Sequence, residues 1–104
     1  MKRRIEKRAL VKLDLAEQAD YIRRDSPHAA LRFLEAAEKA IDDLANQPGL
    51  GIPEVCDSPR LAELRCWPIP GFRKHLVFYF QRPDGIEIIR VLHGSRDIQA
   101  ILNR

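Results

Sequence analysis

The sequence has few cysteines and lacks the residue spacing of common cofactor and metal sites. Only two of its 104 residues are cysteine, and both are expected to be reduced thiols because we expect a cytoplasmic protein. The three histidines do not fall at the intervals that bind zinc. The glycine-rich phosphate loop and the G-x-S-x-G nucleophile elbow are also absent. We therefore expect neither a cofactor nor a metal ion. These scarce residues are Cys56, Cys66, His28, His75 and His93.

Long apolar runs are missing as well. No stretch approaches the roughly 18 apolar residues that a membrane span needs. The basic residues at the start of the sequence are not followed by the apolar segment of a signal peptide. These two absences predict a cytoplasmic protein without membrane contact.

The composition is typical of a small globular protein. Hydrophobic residues make up 45% of the sequence and charged residues 32%. The length suits a single domain over residues 1–104. Eighteen Lys and Arg against fifteen Asp and Glu give a net charge of +3, which permits an anionic partner without requiring one.

The first half of the chain predicts a short strand and two helices. Residues 4–8 alternate weakly and predict a strand near a sheet edge. A first helix from about Leu10 to Arg24 has an apolar stripe formed by Val11, Leu15, Ala19 and Ile22. Ser26-Pro27 then starts a second helix that ends near Asn46. Its predicted apolar face consists of Ala30, Leu34, Ala37, Ile41 and Leu44, flanked by Phe33 and Ala40.

The second half predicts a loop and three strands. Residues 49–60 are rich in Gly, Pro and Ser and predict a surface loop. Strands are expected over 61–67, 72–80 and 86–93, and they form an antiparallel meander if neighbours in sequence pair in the sheet. The turn residues 81–85 predict a hairpin that places Phe80 opposite Ile86, Phe78 opposite Ile88, Val77 opposite Ile89 and Arg73 opposite His93.

The chain ends in a short predicted helix. Ile98, Ile101 and Leu102 have helical spacing. Ser95 can cap this helix, and Asp97 favours its N-terminal dipole.

The predicted order is β-α-α-β-β-β with a short C-terminal helix. The apolar stripes of the two helices match the apolar face that the sheet must cover. We therefore predict an α+β fold with two layers, a helical hairpin packed on a small and mostly antiparallel sheet. The core is expected to bring together Leu34, Ile41, Phe78 and Ile88.

The strongest candidate for a site is the end of the last predicted strand. An apolar run beginning at Ile86 delivers His93, which is followed by Gly94, Ser95, Arg96 and Asp97. Polar side chains that a rigid apolar strand holds at its end are typical of a functional site. The alternative is that His93 and Arg96 mark a solvated strand end.

The sequence resembles the RelE/ParE superfamily of bacterial type II toxins, and is more similar to the ParE branch. The resemblance covers nearly the whole chain, and it implies a toxin neutralised by an antitoxin encoded beside it. It rests on Asp14-Leu15, Asp20-Tyr21-Ile22, the run from Leu44 to Gly51, Leu64-Arg65, Val77-Phe78-Tyr79 and the run from Ile88 to Asp97.

The resemblance leaves three functions open. A ParE-like toxin would inhibit DNA gyrase by binding, whereas a RelE-like toxin would cleave mRNA on the ribosome. A degenerate member would have no toxicity. A nuclease would use Arg65, Arg73, His93 and Arg96, but no Tyr follows Gly94, which favours the gyrase inhibitor.

The resemblance also implies the partners. We expect a hetero-oligomer with a ParD-like or other small antitoxin, and DNA gyrase or the ribosome with its mRNA as the target. Candidate residues for contacts with target or partner are Arg65, Arg73, Arg90, His93, Arg96, Ile98, Ile101 and Leu102.

Overall fold

The computed structural model of the protein describes residues 3–103 and confirms the α+β class. Met1, Lys2 and Arg104, which the predicted domain included, lie outside the described residues. The strands are β1 (Arg4–Lys7), β2 (Ile52–Pro53), β3 (Arg65–Ile69), β4 (Phe72–Arg82) and β5 (Gly85–His93), and the helices are α1 (Ala9–Arg23), α2 (Pro27–Asn46) and α3 (Ile98–Leu102).

The five strands form one sheet in the order β1-β5-β4-β3-β2. β1 runs parallel to β5, and every other pair of neighbours is antiparallel. The predicted meander of β3, β4 and β5 and the edge position of β1 are therefore confirmed. The predicted loop before the meander contains β2 and a 3-10 turn at Pro59–Leu61, and β3 begins at Arg65 instead of Leu61.

The helical hairpin forms as predicted, and α2 begins at its expected cap. The Ser26 hydroxyl accepts a hydrogen bond from the backbone N–H of Ala29 at 3.1 Å, and Pro27 occupies the first helical position. The observed bounds of both helices lie within one residue of the predicted ones.

The buried face of α2 matches the prediction except at Leu34. Leu34 was expected in the core but is 38% exposed, whereas Phe33 is fully buried. Successive helical residues point about 100° apart, so the stripe that includes Phe33 turns Leu34 toward the rim. The buried residues of α2 are Ala30, Phe33, Ala37, Ala40, Ile41, Leu44 and Ala45.

The two faces of the sheet carry separate apolar clusters. Ile41 and Ile88 lie in the cluster under the helical hairpin, but Phe78 belongs to a second cluster on the opposite face. The expectation that these residues share one core was therefore wrong for Phe78. Side chains alternate along a strand, so Val77 and Tyr79 face the hairpin while Phe78 faces away.

The pairing of β4 with β5 differs from the prediction by two successive shifts. The pair next to the turn is Arg82 with Gly85, so the register differs from the predicted one by one residue and Ile88 lies opposite Tyr79. An irregularity between Phe78 and Tyr79 then shifts the register by one more residue. The two shifts together place His75 opposite His93, where Arg73 was predicted. Because two shifts restore the alternation, His93 keeps its predicted face.

α3 packs on the second face of the sheet, and its cap is Asp97. The Asp97 carboxylate accepts a hydrogen bond from the N–H of Ala100 at 3.2 Å, so the prediction of Ser95 as the cap was wrong. Ile101 and Leu102 are only 7% and 6% exposed and belong to the second apolar cluster.

Two expectations from the sequence concern the state of the cysteines and the presence of membrane-spanning helices. Cys56 and Cys66 are free cysteines, and burial raises the pKa of Cys66 to about 12. Within residues 3–103, no helix has both the length and the apolar character that a membrane span requires.

We predict that Ile41→Ala lowers the free energy of unfolding by about 2–5 kcal/mol, because it opens a cavity beneath the hairpin. Leu34→Ala should lower it by only about 1 kcal/mol, because its side chain already meets water. Urea unfolding of the two variants beside the wild type measures both values. Equal losses would contradict the position of Leu34 at the rim of the core.

Candidate functional site

The edge of β5 changes its partner halfway along the strand. β1 pairs with β5 only as far as Ile88, whose carbonyl accepts a hydrogen bond from Arg8 N–H at 3.0 Å. Further along, Val91 N–H donates to the Asp14 carboxylate at 3.1 Å, and the Val91 carbonyl accepts from the Gln18 amide at 2.8 Å. Side chains of α1 therefore satisfy backbone groups that a neighbouring strand would otherwise pair.

Asp14 also binds Arg90 in a bidentate ion pair. The Arg90 Nε and Nη2 atoms each lie 2.8 Å from a different Asp14 oxygen. Asp14 is 6% exposed, and its hydrogen bonds raise the pKa of Arg90. Arg90 was predicted to contact a target or partner. In the structure its guanidinium binds Asp14 of the same protein, and this ion pair links β5 to α1.

His75 and His93 form a cross-strand pair on the hairpin side of the sheet. Their ring centroids are 4.9 Å apart and the rings are nearly perpendicular, at 87°. His75 also packs against the Phe33 ring at 4.8 Å between centroids. Desolvation by burial, followed by the neighbouring His93, lowers the pKa of His75 below its ordinary value.

Hydrogen bonds fix which ring nitrogen of His75 carries the proton in the neutral form. Gln18 uses its amide N–H to donate to the Val91 carbonyl, so its amide oxygen faces His75 Nδ1 at 2.7 Å. His75 Nδ1 must therefore be the donor. The lone pair of neutral His75 consequently lies on Nε2.

Neutral His93 has the opposite tautomer. Its Nδ1 accepts a hydrogen bond from the backbone N–H of Ser95 at 3.1 Å, and the Ser95 hydroxyl lies 2.7 Å from the same nitrogen. A nitrogen that accepts from a backbone N–H carries no proton of its own. The proton of neutral His93 therefore lies on Nε2.

Both histidines open onto a cleft between α1 and the end of β5. Its volume is about 400 Å³. A neighbouring shallow depression shares His93 and Ser95 with this cleft and adds the basic residues Arg73 and Lys74. The cleft is lined by Glu17, Gln18, Tyr21, His75, His93, Ser95 and Arg96.

The four residues predicted for a nuclease do not all converge. His93 and Arg96 share the cleft, and Arg73 lies in the depression beside it. Arg65 lies opposite Tyr79, four positions along β4 from His75.

Arg65 is instead part of the anchor of the loop after α2. It donates hydrogen bonds to the carbonyls of Gly49 and Gly51. The Tyr79 hydroxyl donates to the Pro48 carbonyl at 2.7 Å and accepts from Gly51 N–H at 2.8 Å. A Cβ atom at Gly51 would lie 2.5 Å from that hydroxyl oxygen, so the close approach requires glycine.

The apolar candidates lie on the other face of the molecule. Ile101 and Leu102 are buried in the second cluster, and Ile98 packs partly against it. All three side chains were predicted to meet a partner; the structure buries Ile101 and Leu102 in the protein's own core and leaves Ile98 partly exposed.

The tautomers do not suit a metal bridge between the two histidines. A ligating Nε2 needs a free lone pair, and in neutral His93 that nitrogen carries the proton. Within the described part of the chain, no cluster of three or more His, Cys, Asp or Glu residues is arranged to hold a metal ion.

A comparison with protein families matches this chain over residues 5–98. The matching family is described as the ParE toxin of the type II toxin-antitoxin system, parDE. The chain belongs to the ParE toxin family. This confirms the ParE branch of the resemblance, and the protein is the toxin component of a type II system whose family implies a cognate antitoxin. A search of curated proteins finds no match.

The match extends over every residue that lines the cleft of this ParE toxin. Sequence reasoning found His93 and Arg96 there but missed His75, Gln18 and Tyr21. His75 could have been found only from the correct register of the hairpin. Gln18 and Asp14 carry a weaker signal, because they are polar residues on the helix that covers the apolar sheet.

We predict that Asp14→Ala lowers the free energy of unfolding by about 3 kcal/mol, because it leaves Arg90 and the Val91 N–H without their shared partner. Asp20→Ala is the matched control. It removes an exposed ion pair with Arg23 and should lower the stability by less than about 1 kcal/mol. Chemical denaturation distinguishes the two, and a loss no larger for Asp14→Ala would contradict the assigned role.

We predict that acid weakens the fold partly through His75. A pKa that is lower in the folded state means that the unfolded chain takes up the proton first as the pH falls. The contribution of neutral His75 is therefore present above its ordinary pKa of about 6.5. It is lost as the pH falls through the lower value of the folded state.

Thermal unfolding between pH 8 and pH 5 measures this effect in the wild type, His75→Asn and His28→Asn. The exposed His28 serves as a matched control. His75→Asn should flatten the acid-side decline relative to both other proteins. An identical decline in all three would show that His75 does not contribute.

Proposed function

We propose that this toxin inhibits DNA gyrase by binding it, and that a ParD-like antitoxin neutralises the toxin. The observation that carries the proposal is membership of the ParE family over residues 5–98. The single toxin domain would act in the cytoplasm, the location predicted from the sequence. Ribosome-dependent mRNA cleavage is the alternative, and it is weakened because Arg65 does not join the other predicted nuclease residues.

The proposed gyrase contact is the exposed basic surface at the open end of the β4–β5 hairpin, which is the end away from its turn. Arg73, Lys74 and Arg96 are exposed there around His93, at the end of a strand whose interior is buried. A rigidly mounted cationic surface favours recognition of a complementary acidic surface on a protein partner. Ile98, which is only partly buried, extends this surface toward α3.

The proposed antitoxin contact is the groove on the outer side of the helical hairpin. Leu34 is an exposed apolar side chain there, at 38%, and Leu15 beside it is half-buried, although most of the core-facing stripe is buried. Lys7, Arg8 and Lys12 line the groove between α1 and α2. Apolar area bordered by cations suits an amphipathic acidic segment that orders on binding. The antitoxin would thereby form a hetero-oligomer with the toxin.

We predict that purified toxin blocks supercoiling by gyrase and that the double variant Arg73→Ala/Arg96→Ala raises the required concentration about tenfold or more. A tenfold change corresponds to about 1.4 kcal/mol of lost binding free energy. The control is Arg82→Ala, which removes an exposed arginine at the opposite end of β4 from Arg73. Circular dichroism establishes that all variants are folded.

A toxin that arrests growth while leaving gyrase activity unchanged would contradict the proposed target. If the double variant inhibits gyrase as strongly as the wild type, this basic surface is not the gyrase contact.

A further inference from the structure

We propose that Ser95 is an activated nucleophile whose hydroxyl accepts a phosphoryl group, and that the donor class is a small acyl phosphate. His93 is the base for this reaction, and the cations of the neighbouring depression hold the phosphate. The modification goes beyond the proposed inhibition of gyrase, and its occurrence does not depend on that function.

The Ser95 hydroxyl has a base fixed beside it. Its oxygen lies 2.7 Å from Nδ1 of His93. The backbone N–H of Ser95 donates to the same nitrogen at 3.1 Å, so neutral His93 carries its proton on Nε2 and keeps Nδ1 as an acceptor. The hydroxyl is therefore a second donor to a nitrogen that can take its proton. An adjacent base of this kind is what activates a serine for attack.

The turn that carries Ser95 is held by backbone hydrogen bonds. The N–H of Gly94 donates to the Lys74 carbonyl at 2.7 Å. The N–H of Arg96 donates to the His93 carbonyl at 3.0 Å. The Ser95 side chain is nevertheless exposed. A nucleophile and a base on a fixed backbone lose little freedom when they reach the reactive geometry, and solvent exposure lets a donor approach.

Three exposed cations border this turn. Arg73 and Lys74 line the depression that contains Ser95 and His93, and Arg96 lines the cleft that contains the same two residues. Within residues 3–103, no ion pair engages any of the three cations. Cations without a carboxylate partner attract a phosphoryl donor and stabilise the charge on its oxygens during transfer.

The acidic residues near the turn leave the depression positive. The Asp97 carboxylate caps α3 by accepting from the N–H of Ala100 at 3.2 Å. Glu17 lines the cleft on the α1 side, so a phosphate is favoured on the side of the depression. The depression has a volume of about 390 Å³, which suits a small donor. The residues that line it are Arg73, Lys74, Leu76, His93, Gly94 and Ser95.

The reaction needs no reactant besides the acyl phosphate. The Ser95 oxygen forms a bond to phosphorus, and the bond between phosphorus and the acyl oxygen breaks. The carboxylate leaves with the electron pair of that bond. The hydroxyl proton moves to Nδ1 of His93, which becomes a cation and later releases the proton to solvent. The products are a phosphoserine and a free carboxylate.

Phosphorylation would reverse the charge at the centre of the basic surface. A phosphoserine carries a charge of about −1.5 to −2 near pH 7. At position 95 it would lie beside Arg73, Lys74 and Arg96, which form the proposed gyrase contact. The phosphorylated toxin should therefore inhibit gyrase less strongly, a consequence that rests on the proposed function.

The experiment incubates purified full-length toxin with acetyl phosphate and locates the modification by mass spectrometry of its peptides. We expect the wild type to gain one phosphoryl group, on Ser95. Ser95→Ala should gain none, whereas Ser58→Ala, which removes a half-buried hydroxyl, should react like the wild type. His93→Asn should react about 10²-fold more slowly or less, because the base is lost. Circular dichroism establishes that the variants are folded.

A neutral fluorophosphonate ester separates the role of the base from that of the cations. It needs the nucleophile and the base but carries no charge for the cations to bind. It should label Arg73→Ala/Arg96→Ala as fast as the wild type, whereas acetyl phosphate should label this variant about tenfold more slowly. His93→Asn should slow both reagents.

Absence of phosphate on Ser95 in the folded wild type, or an undiminished rate in His93→Asn, would overturn the inference. Transfer of the acetyl group in place of the phosphoryl group would overturn the assigned chemistry. These measurements do not involve gyrase, so their failure is distinct from failure of the proposed function. Supercoiling assays then compare phosphorylated with untreated toxin, and equal inhibition by the two would contradict the regulatory consequence.

Discussion

The open edge of β5 beyond Ile88 is the constraint on which the arrangement of the cleft depends. A strand edge in the middle of a sheet must find partners for its backbone groups, and β1 is too short to provide them. Asp14 and Gln18 of α1 bind the N–H and carbonyl of Val91 instead. The helix therefore completes the sheet, and its position along β5 is fixed by hydrogen bonds as well as by apolar packing.

The same two side chains connect the edge to the cleft. Asp14 holds Arg90 against α1, so the residue that precedes Val91 is anchored as well. The amide oxygen of Gln18 accepts a hydrogen bond from Nδ1 of His75, so the lone pair of the neutral ring lies on Nε2. One stretch of α1 thus sets both the packing of the last strand and the chemical state of a histidine in the cleft.

The sequence predicted the architecture because its signals are local. Helical periodicity, the Ser26 cap and the apolar runs of β4 and β5 each depend on neighbouring residues. The cleft was predicted only in part, because His93 and Arg96 end an apolar strand, whereas His75 meets them through two shifts in the hairpin register. The bond between Asp14 and Arg90 joins residues 76 positions apart and leaves no local pattern. Leu34 was misplaced because the periodicity of α2 fits two adjacent stripes, and packing against the sheet selects the one with Phe33.

The most direct test of this account is nitrogen-15 NMR of the imidazole rings at a pH where both histidines are neutral. The account predicts that His75 carries its proton on Nδ1 and His93 on Nε2, and that Gln18→Ala abolishes the preference in His75 while that of His93 persists. The same tautomer in both rings, or a His75 spectrum unchanged by Gln18→Ala, would contradict it.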